Sequence, residues 1–189
     1  MQQNSHPNQL SVPPSQHDHY QGRLNAPVVL VKYGNYQCPQ CGELYRLTQA
    51  IQQHFAPAFS EENRICIVFR HFIENSVHPR ARKAAEAVEA AAAQGQFWQM
   101  HNMLFNHQQE LGNGHLVEYA NSLGLDICQF LQDISKRVHV NRINGNIESG
   151  LQSGVTAAPA LFINGIRYID RWNIEQLMAA IITSDHSGS

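Results

Sequence analysis

Apolar residues follow two rhythms along this chain, and the changes between them mark its elements. Pro27-Val28-Val29-Leu30-Val31 and Ile65-Cys66-Ile67-Val68-Phe69 are continuous aliphatic and β-branched runs, the pattern of strands buried on both faces. Between them, Leu44, Leu47, Ile51 and Phe55 recur at helical spacing, and Pro57 stops the helix. Strand, helix, strand makes a βαβ unit. From residue 79 to about residue 152 the pattern is helical. Pro79 opens an Ala-rich segment ending at Gly95, and Phe97, Trp98, Met100, Met103 and Leu104 crowd one side of a shorter helix. Leu116, Tyr119, Ala120 and Leu123 form a stripe closed by Gly124. Asp126 and Gln129 stand as a capping box before Phe130, Leu131 and Ile134, and Val140, Ile143, Ile147 and Leu151 make the last stripe. Ala160-Leu161-Phe162-Ile163, Asn164-Gly165 and Ile166-Arg167-Tyr168-Ile169 then read as strand, type I′ turn, strand. Asn173 with Gln176 caps a final helix carrying Ile174, Leu177, Met178 and Ile181. The order predicts an α/β fold in which an all-helical block, about residues 76–153, separates an N-terminal βαβ unit from a C-terminal ββα unit.

Composition adds boundaries to this pattern. Residues 1–24 are rich in Gln, Asn, His, Pro and Ser and carry little that burial could use to offset ordering entropy. They are expected to be a disordered tail with solvated His6, His17 and His19, leaving one domain over residues 25–184 and a disordered end at 185–189. A net charge of −2 offers no basic excess for a polyanion, so nucleic acid is not an expected partner. No run approaches the roughly 18 apolar residues of a membrane span, which excludes the membrane as a partner at this level. No basic residue precedes Arg23 and there is no apolar signal core, so the expected location is the cytoplasm.

Candidate chemistry centres on Cys38-Pro39-Gln40-Cys41, which follows the first strand and opens the first helix. On a first helical turn, residues i and i+3 share a face at about the separation a disulfide needs. Orphan N–H groups and the positive end of the helix dipole favour the thiolate of the first sulfur. Pro39 falls where its missing N–H costs nothing. A C-x-x-C pair is also half of many zinc and iron–sulfur sites, but Cys66 and Cys128 stand alone and supply no second pair, so no metal is expected. Cys66 reads as a buried inert thiol, and Cys128 as packed or idly exposed. Arg70 and Arg82 read as solvating a face, Trp98 and Tyr119 as core residues. Pro159, taken by itself, reads as a strand-starting proline.

These residues resemble the DsbA-like branch of the thioredoxin superfamily. The resemblance runs from about Gly22 to Ile182 and rests on separated signatures: Ala26-Pro27-Val28, Cys38-Pro39-Gln40-Cys41, Phe69-Arg70-His71-Phe72 and His78-Pro79 before an Ala-rich helix. Gln94-Gly95-Gln96-Phe97-Trp98 with Met100-His101, Gly124-Leu125-Asp126, Gly154-Val155, Pro159 and Phe162-Ile163-Asn164-Gly165 complete it. It implies a thioredoxin fold with a helical insertion, thiol–disulfide oxidoreductase activity on protein or peptide thiols and disulfides, and a redox recycling partner of unknown identity. No cofactor is implied beyond a redox-active Cys38–Cys41 disulfide. A peptide-binding, chaperone-like module of the same fold, independent of the thiols, is the alternative.

The resemblance also implies roles. Cys38, first on the helix and expected to be the more exposed, is the nucleophile, and Cys41 is the resolving thiol. Pro39 and Gln40 tune the environment of Cys38, and the Pro-Gln pair leans towards oxidase or isomerase chemistry. Pro159 is expected to be cis, leaving the Ala158 backbone free to pair with an extended substrate. Relatives usually carry a buried carboxylate six residues before the first Cys, where this chain has Lys32. An ammonium there would favour a dithiolate and make the oxidised form a stronger oxidant; the alternative is a lysine that snorkels to solvent. His71 and His78, which belong to the signatures, are expected to be structural.

Overall fold

The computed structural model describes residues 8–54, 64–74 and 77–186. Its elements run β1 (His19–Gln21), β2 (Val28–Gly34), α1 (Pro39–His54), β3 (Ile65–His71), α2 (Ala81–Ala92), α3 (Phe97–Asn106) and α4 (Asn113–Ser122). They continue α5 (Ile127–Ser135), α6 (Val140–Gln152), β4 (Ala160–Ile163), β5 (Ile166–Arg167) and α7 (Ile174–His186). The five strands form one sheet in the order β1-β3-β2-β4-β5, parallel only between β2 and β3.

The apolar runs are continuous because both faces of the central strands are covered. Leu30, Ile67 and Leu161 pack with Leu44 and Ile51 of α1 and Leu177 and Ile181 of α7. Val31, Val68 and Phe162 pack on the other face with Phe72, Val155 and Ile147. Each such fully buried aliphatic side chain stabilises the fold by about 1.5–3 kcal/mol. The α2–α6 block has its own core, in which Ala84, Ala87, Val88 and Ala91 of α2 meet Leu104, Leu116 and Phe130. Alanine on that face lets neighbouring helices come close to α2 without leaving voids. The local signals hold where the backbone tests them. Asp126 and Asn173 accept from the N–H groups of Gln129 and Gln176, and Asn164 and Gly165 both have positive φ, +47° and +81°, as a type I′ turn requires. Phe55 and Pro57 lie outside the described residues, as do residues 1–7 and 187–189; α7 itself runs two residues beyond the expected boundary at 184.

The expected disorder through residue 24 is corrected for residues 8–24, which wrap the sheet as a strap. Gln9 bridges to Ile166 at one edge, and β1 pairs with β3 at the other. Leu10, Tyr20 and Leu24 pack against the core face beneath. Arg70, expected to face solvent, is buried and directs its guanidinium donors into the strap. It reaches Asp18 Oδ1 (2.7 Å) and Oδ2 (3.0 Å), the carbonyls of Val12 (2.8 Å) and Pro13 (3.1 Å), and the Tyr33 hydroxyl (2.9 Å). His19 is not a tail histidine: it stacks on Phe97 and, with His71 and Arg142, surrounds the buried carboxylate of Glu89 on α2. Burial by itself would raise the Glu89 carboxyl; the hydrogen bonds from His19 and His71 hold it far below the usual range. The segment has few apolar residues, and polar anchoring adds to the little burial that Leu10, Tyr20 and Leu24 supply.

Candidate active site

The turn from β2 into α1 is built by side chains that close its backbone. Asn35 Oδ1 accepts from the N–H groups of Gln37 (3.1 Å) and Cys38 (3.0 Å), while its Nδ2 donates to Phe72 O. This places an N-cap-like side chain three residues before the nucleophile, just ahead of Pro39, the first helical residue. Gln37 Oε1 accepts from the Arg80 N–H (2.7 Å), joining the loop to the start of α2. The Tyr36 hydroxyl pairs with His101 Nδ1 (2.9 Å) on α3.

All four cysteines are free thiols. Cys38 Sγ accepts from the Cys41 N–H at 3.2 Å and lies 3.6 Å from Ala158 O and 3.8 Å from Gln40 Oε1. The Ala158–Pro159 peptide is cis. Hydrogen bonding from the Cys41 thiol lowers the Cys38 pKa, helped by the N–H groups of Cys41 and Gln40 and opposed by burial. Cys41 is pushed the other way, far up, by burial first and then by the hydrogen bond its thiol donates to Cys38. The two sulfurs are thus pushed apart, Cys38 towards its thiolate and Cys41 towards its thiol, which does not favour the dithiolate anticipated from Lys32. Both sulfurs are buried: Gln40 and Ala158 lie against Cys38, which sits nearer the surface of the molecule than the more deeply enclosed Cys41. Pro39 and Gln40 themselves are exposed.

Lys32 does not snorkel. The register Phe69–Lys32–Leu161 across β3, β2 and β4 sets it in the row facing α1, where its Nζ donates to Thr48 Oγ1 at 3.2 Å. The Thr48 hydroxyl in turn donates a hydrogen bond to the carbonyl of Leu44 or Tyr45. Lys32 and Cys41 line one small cavity of about 10 Å³ with Gly34, Phe105 and Pro159. That is close to the space one water needs. Burial lowers Lys32 to about 8, against the smaller opposing pull of Cys41.

Cys66 is buried in β3 under the strap, its thiol pushed up to about 11 by burial and the charge of Asp18. Cys128 is exposed near the start of α5. Neither joins the dyad. His71 is buried with its Nε2 on Glu89, and neither His71 Nδ1 nor His78 Nδ1 has a hydrogen-bond partner among the described residues. Sequence reasoning missed Asn35, Tyr36, Gln37, Thr48 and Gln108. The Asn35 signal was present, since an Asn after a strand commonly bonds the backbone two residues on and closes a turn. Gln108 gave none: its Nε2 donates to Tyr36 O and Cys38 O from 70 or more residues away.

With this geometry in place, comparison with known proteins is direct. The thioredoxin family model Thioredoxin_4 matches residues 14–182. A protein named Na(+)/H(+) antiporter NhaA 1 from Mycolicibacterium vanbaalenii is 39% identical over 168 residues, covering 87% of this chain and 26% of that protein. The chain spans about a quarter of the length of the curated relatives it matches. No helix among the described residues is long and apolar enough to cross a membrane. Among solved structures, oxidised BdbD from Bacillus subtilis superposes with a TM-score of 0.81 at 20% identity, covering 95% of this chain and 99% of that one. The α-DsbA1 of Wolbachia pipientis gives 0.75 at 18% identity, covering 93% and 94%. The family match, the cis-Pro159 beside a C-x-x-C dyad and the helical block between βαβ and ββα agree: the chain belongs to the thioredoxin family, with a fold like that of BdbD and α-DsbA1.

Proposed function

We propose that this protein is a thiol–disulfide oxidoreductase that exchanges disulfides with protein or peptide substrates, with Cys38 as nucleophile, Cys41 as resolving thiol and a lean towards oxidation or isomerisation. The observation that carries the reading is the asymmetry of the dyad. Cys38 is stabilised as a thiolate by the Cys41 thiol and N–H, beside Ala158 O and cis-Pro159. A low-pKa sulfur is a good leaving group, and stabilising it favours the reduced enzyme, so the oxidised enzyme gives up its disulfide readily.

In the oxidising direction, a substrate thiolate attacks Cys38 Sγ of the Cys38–Cys41 disulfide, and Cys41 departs as a thiolate. The second substrate thiolate then attacks the substrate sulfur of the mixed disulfide, forming the substrate disulfide and releasing Cys38 as a thiolate. Restoring the enzyme disulfide requires an oxidising recycling partner. Pro39 and Gln40 border the entering sulfur, and the Ala158 backbone beside Pro159 offers an extended segment its pairing groups. Lys32 supplies the proton. Below about pH 8 it is an ammonium, and the departing Cys41 thiolate, whose burial strongly favours the thiol, takes that proton within the cavity the two side chains share.

A Cys41→Ser variant tests the reading. Incubated with a disulfide-containing peptide, it should accumulate a mixed disulfide through Cys38, visible as a mass adduct that reductant removes. Absence of the adduct, with Cys38 intact, would overturn it.

Lys32 makes a second prediction through stability. Its folded pKa is depressed, so the cost of burying its charge is fully present below about pH 8 and fades as pH rises towards the unfolded value of 10.5. Lys32→Met should therefore be more stable than the wild type at neutral pH, by on the order of 1–3 kcal/mol, while the Cys41-dependent step slows. Denaturant unfolding from neutral pH to pH 10.5 should show the gap closing. A less stable variant, or a gap independent of pH, would contradict this account of Lys32.

A further inference from the structure

We infer that Gln108 is a positioning residue for Cys38, clamping the nucleophile's backbone to the helical insertion through a space that Gly42 leaves open. The inference rests on the oxidoreductase reading above. Gln108 Nε2 donates both its hydrogens to backbone carbonyls on either side of the thiol's loop, Tyr36 O (3.0 Å) and Cys38 O (2.8 Å). Cys38 O also accepts the Gly42 N–H at 3.2 Å, so the clamp and the first turn of α1 share one acceptor. A Cβ on Gly42 would lie 2.0 Å from Gln108 Oε1 and 2.8 Å from its Cδ. The carboxamide occupies the volume that any larger residue at position 42 would fill.

The clamp is anchored at its other end. Gln108 follows α3, in a turn held by bonds from the His107 N–H to Met103 O and from the Glu110 N–H to His107 O. Helix α3 also holds the Tyr36 hydroxyl through His101 and the Tyr45 hydroxyl through Asn102. During exchange, Cys38 Sγ must trade Cys41 for a substrate sulfur without leaving the Cys41 N–H and the Ala158 carbonyl. Only a fixed backbone keeps it there, and a displacement near 1 Å at a reacting atom costs up to about 10²-fold in rate. Gln108 also offsets the negative ends of two carbonyl oxygens in the thiol's own loop, adding to the Gly42 N–H already on Cys38 O.

Gln108→Met keeps the length and removes the donors; Gly42→Ala keeps the donors and displaces them. Each is made in the wild type and in the Cys41→Ser background. We expect either substitution to slow alkylation of Cys38 and mixed-disulfide formation roughly tenfold and to raise the pH midpoint of thiolate absorbance. The double variant should be no worse than either single one, because both act on the same contact. Gly42→Ala separates positioning from stability, since alanine favours the helix and the melting temperature should hold or rise while reactivity falls. Unchanged rates and thiolate midpoints in both variants, whatever their melting temperatures, would overturn the inference. Wild type that itself shows no low-pH thiolate would instead overturn the underlying functional reading, and the clamp with it.

Discussion

Cys38→Ser should reduce disulfide exchange to the uncatalysed background, a loss on the order of 10³-fold or more. A hydroxyl has no accessible anion at neutral pH and cannot enter a mixed disulfide, so no part of the cycle survives. The loss should be specific. Cys128→Ser alters an exposed thiol outside the site and should leave both activity and stability within about 0.5 kcal/mol of the wild type. Cys41→Ser cannot form the enzyme disulfide and should also lose oxidation, while its Cys38 thiolate still attacks a substrate disulfide and stays trapped as the mixed disulfide. Oxidative refolding of a reduced substrate protein measures all three. If Cys38→Ser, and with it a Cys38→Ser/Cys41→Ser double variant, still promoted folding at the wild-type rate, the thiols would be incidental and the chaperone-like alternative would stand.

Arg70→Ala should produce the largest loss of stability, about 3–5 kcal/mol. The substitution leaves the Asp18 carboxylate, 7% exposed, with the Ser15 N–H but no counter-charge, removes the guanidinium donors from the Val12 and Pro13 carbonyls, and leaves the Tyr33 hydroxyl its bond with Ser149 Oγ. Arg70→Lys should recover only part of this, because an ammonium on a single nitrogen cannot meet acceptors spread around a planar guanidinium. The strap should loosen before the sheet unfolds, since its own apolar anchors are few. Cys66, on the face beneath it, reports that opening when Cys38, Cys41 and Cys128 are replaced by Ser. Faster labelling of Cys66 and a lower denaturant midpoint in Arg70→Ala are expected; an unchanged midpoint would mean that the strap contributes little to stability.

How much of this was legible depended on how far apart the interacting groups are along the chain. The strands Val28–Gly34 and Ile65–His71 could be read because sheets covered on both faces leave no polar alternation to disguise them. The caps at Asp126 and Asn173 and the Asn164-Gly165 turn were legible because each interaction closes within four residues. The strap was not legible. Its order comes from Arg70, 52 residues from Asp18, and from Glu89, 70 residues from His19. Composition counts apolar burial and cannot see one guanidinium satisfied by a distant loop. At the active site, Cys38, Cys41, Pro39 and Gln40 stood in one turn of sequence, but their environment did not. The burial of Lys32 follows from its register opposite Phe69 and Leu161, and the hold on Cys38 comes from Gln108 in another layer. The cover that Ala158 and Gln40 place on Cys38 likewise appears only once the chain is folded.

The central claim is that Cys38 and Cys41 form a redox couple poised towards oxidation by a stabilised Cys38 thiolate. Equilibration of the purified protein across glutathione redox buffers at neutral pH, with the Cys38–Cys41 state read by alkylation and mass, measures this directly. We predict one two-electron transition at a potential well above about −270 mV, in the range of about −200 to −120 mV occupied by oxidases and isomerases. A transition at or below the thioredoxin value, or no cooperative transition between dithiol and disulfide, would contradict it.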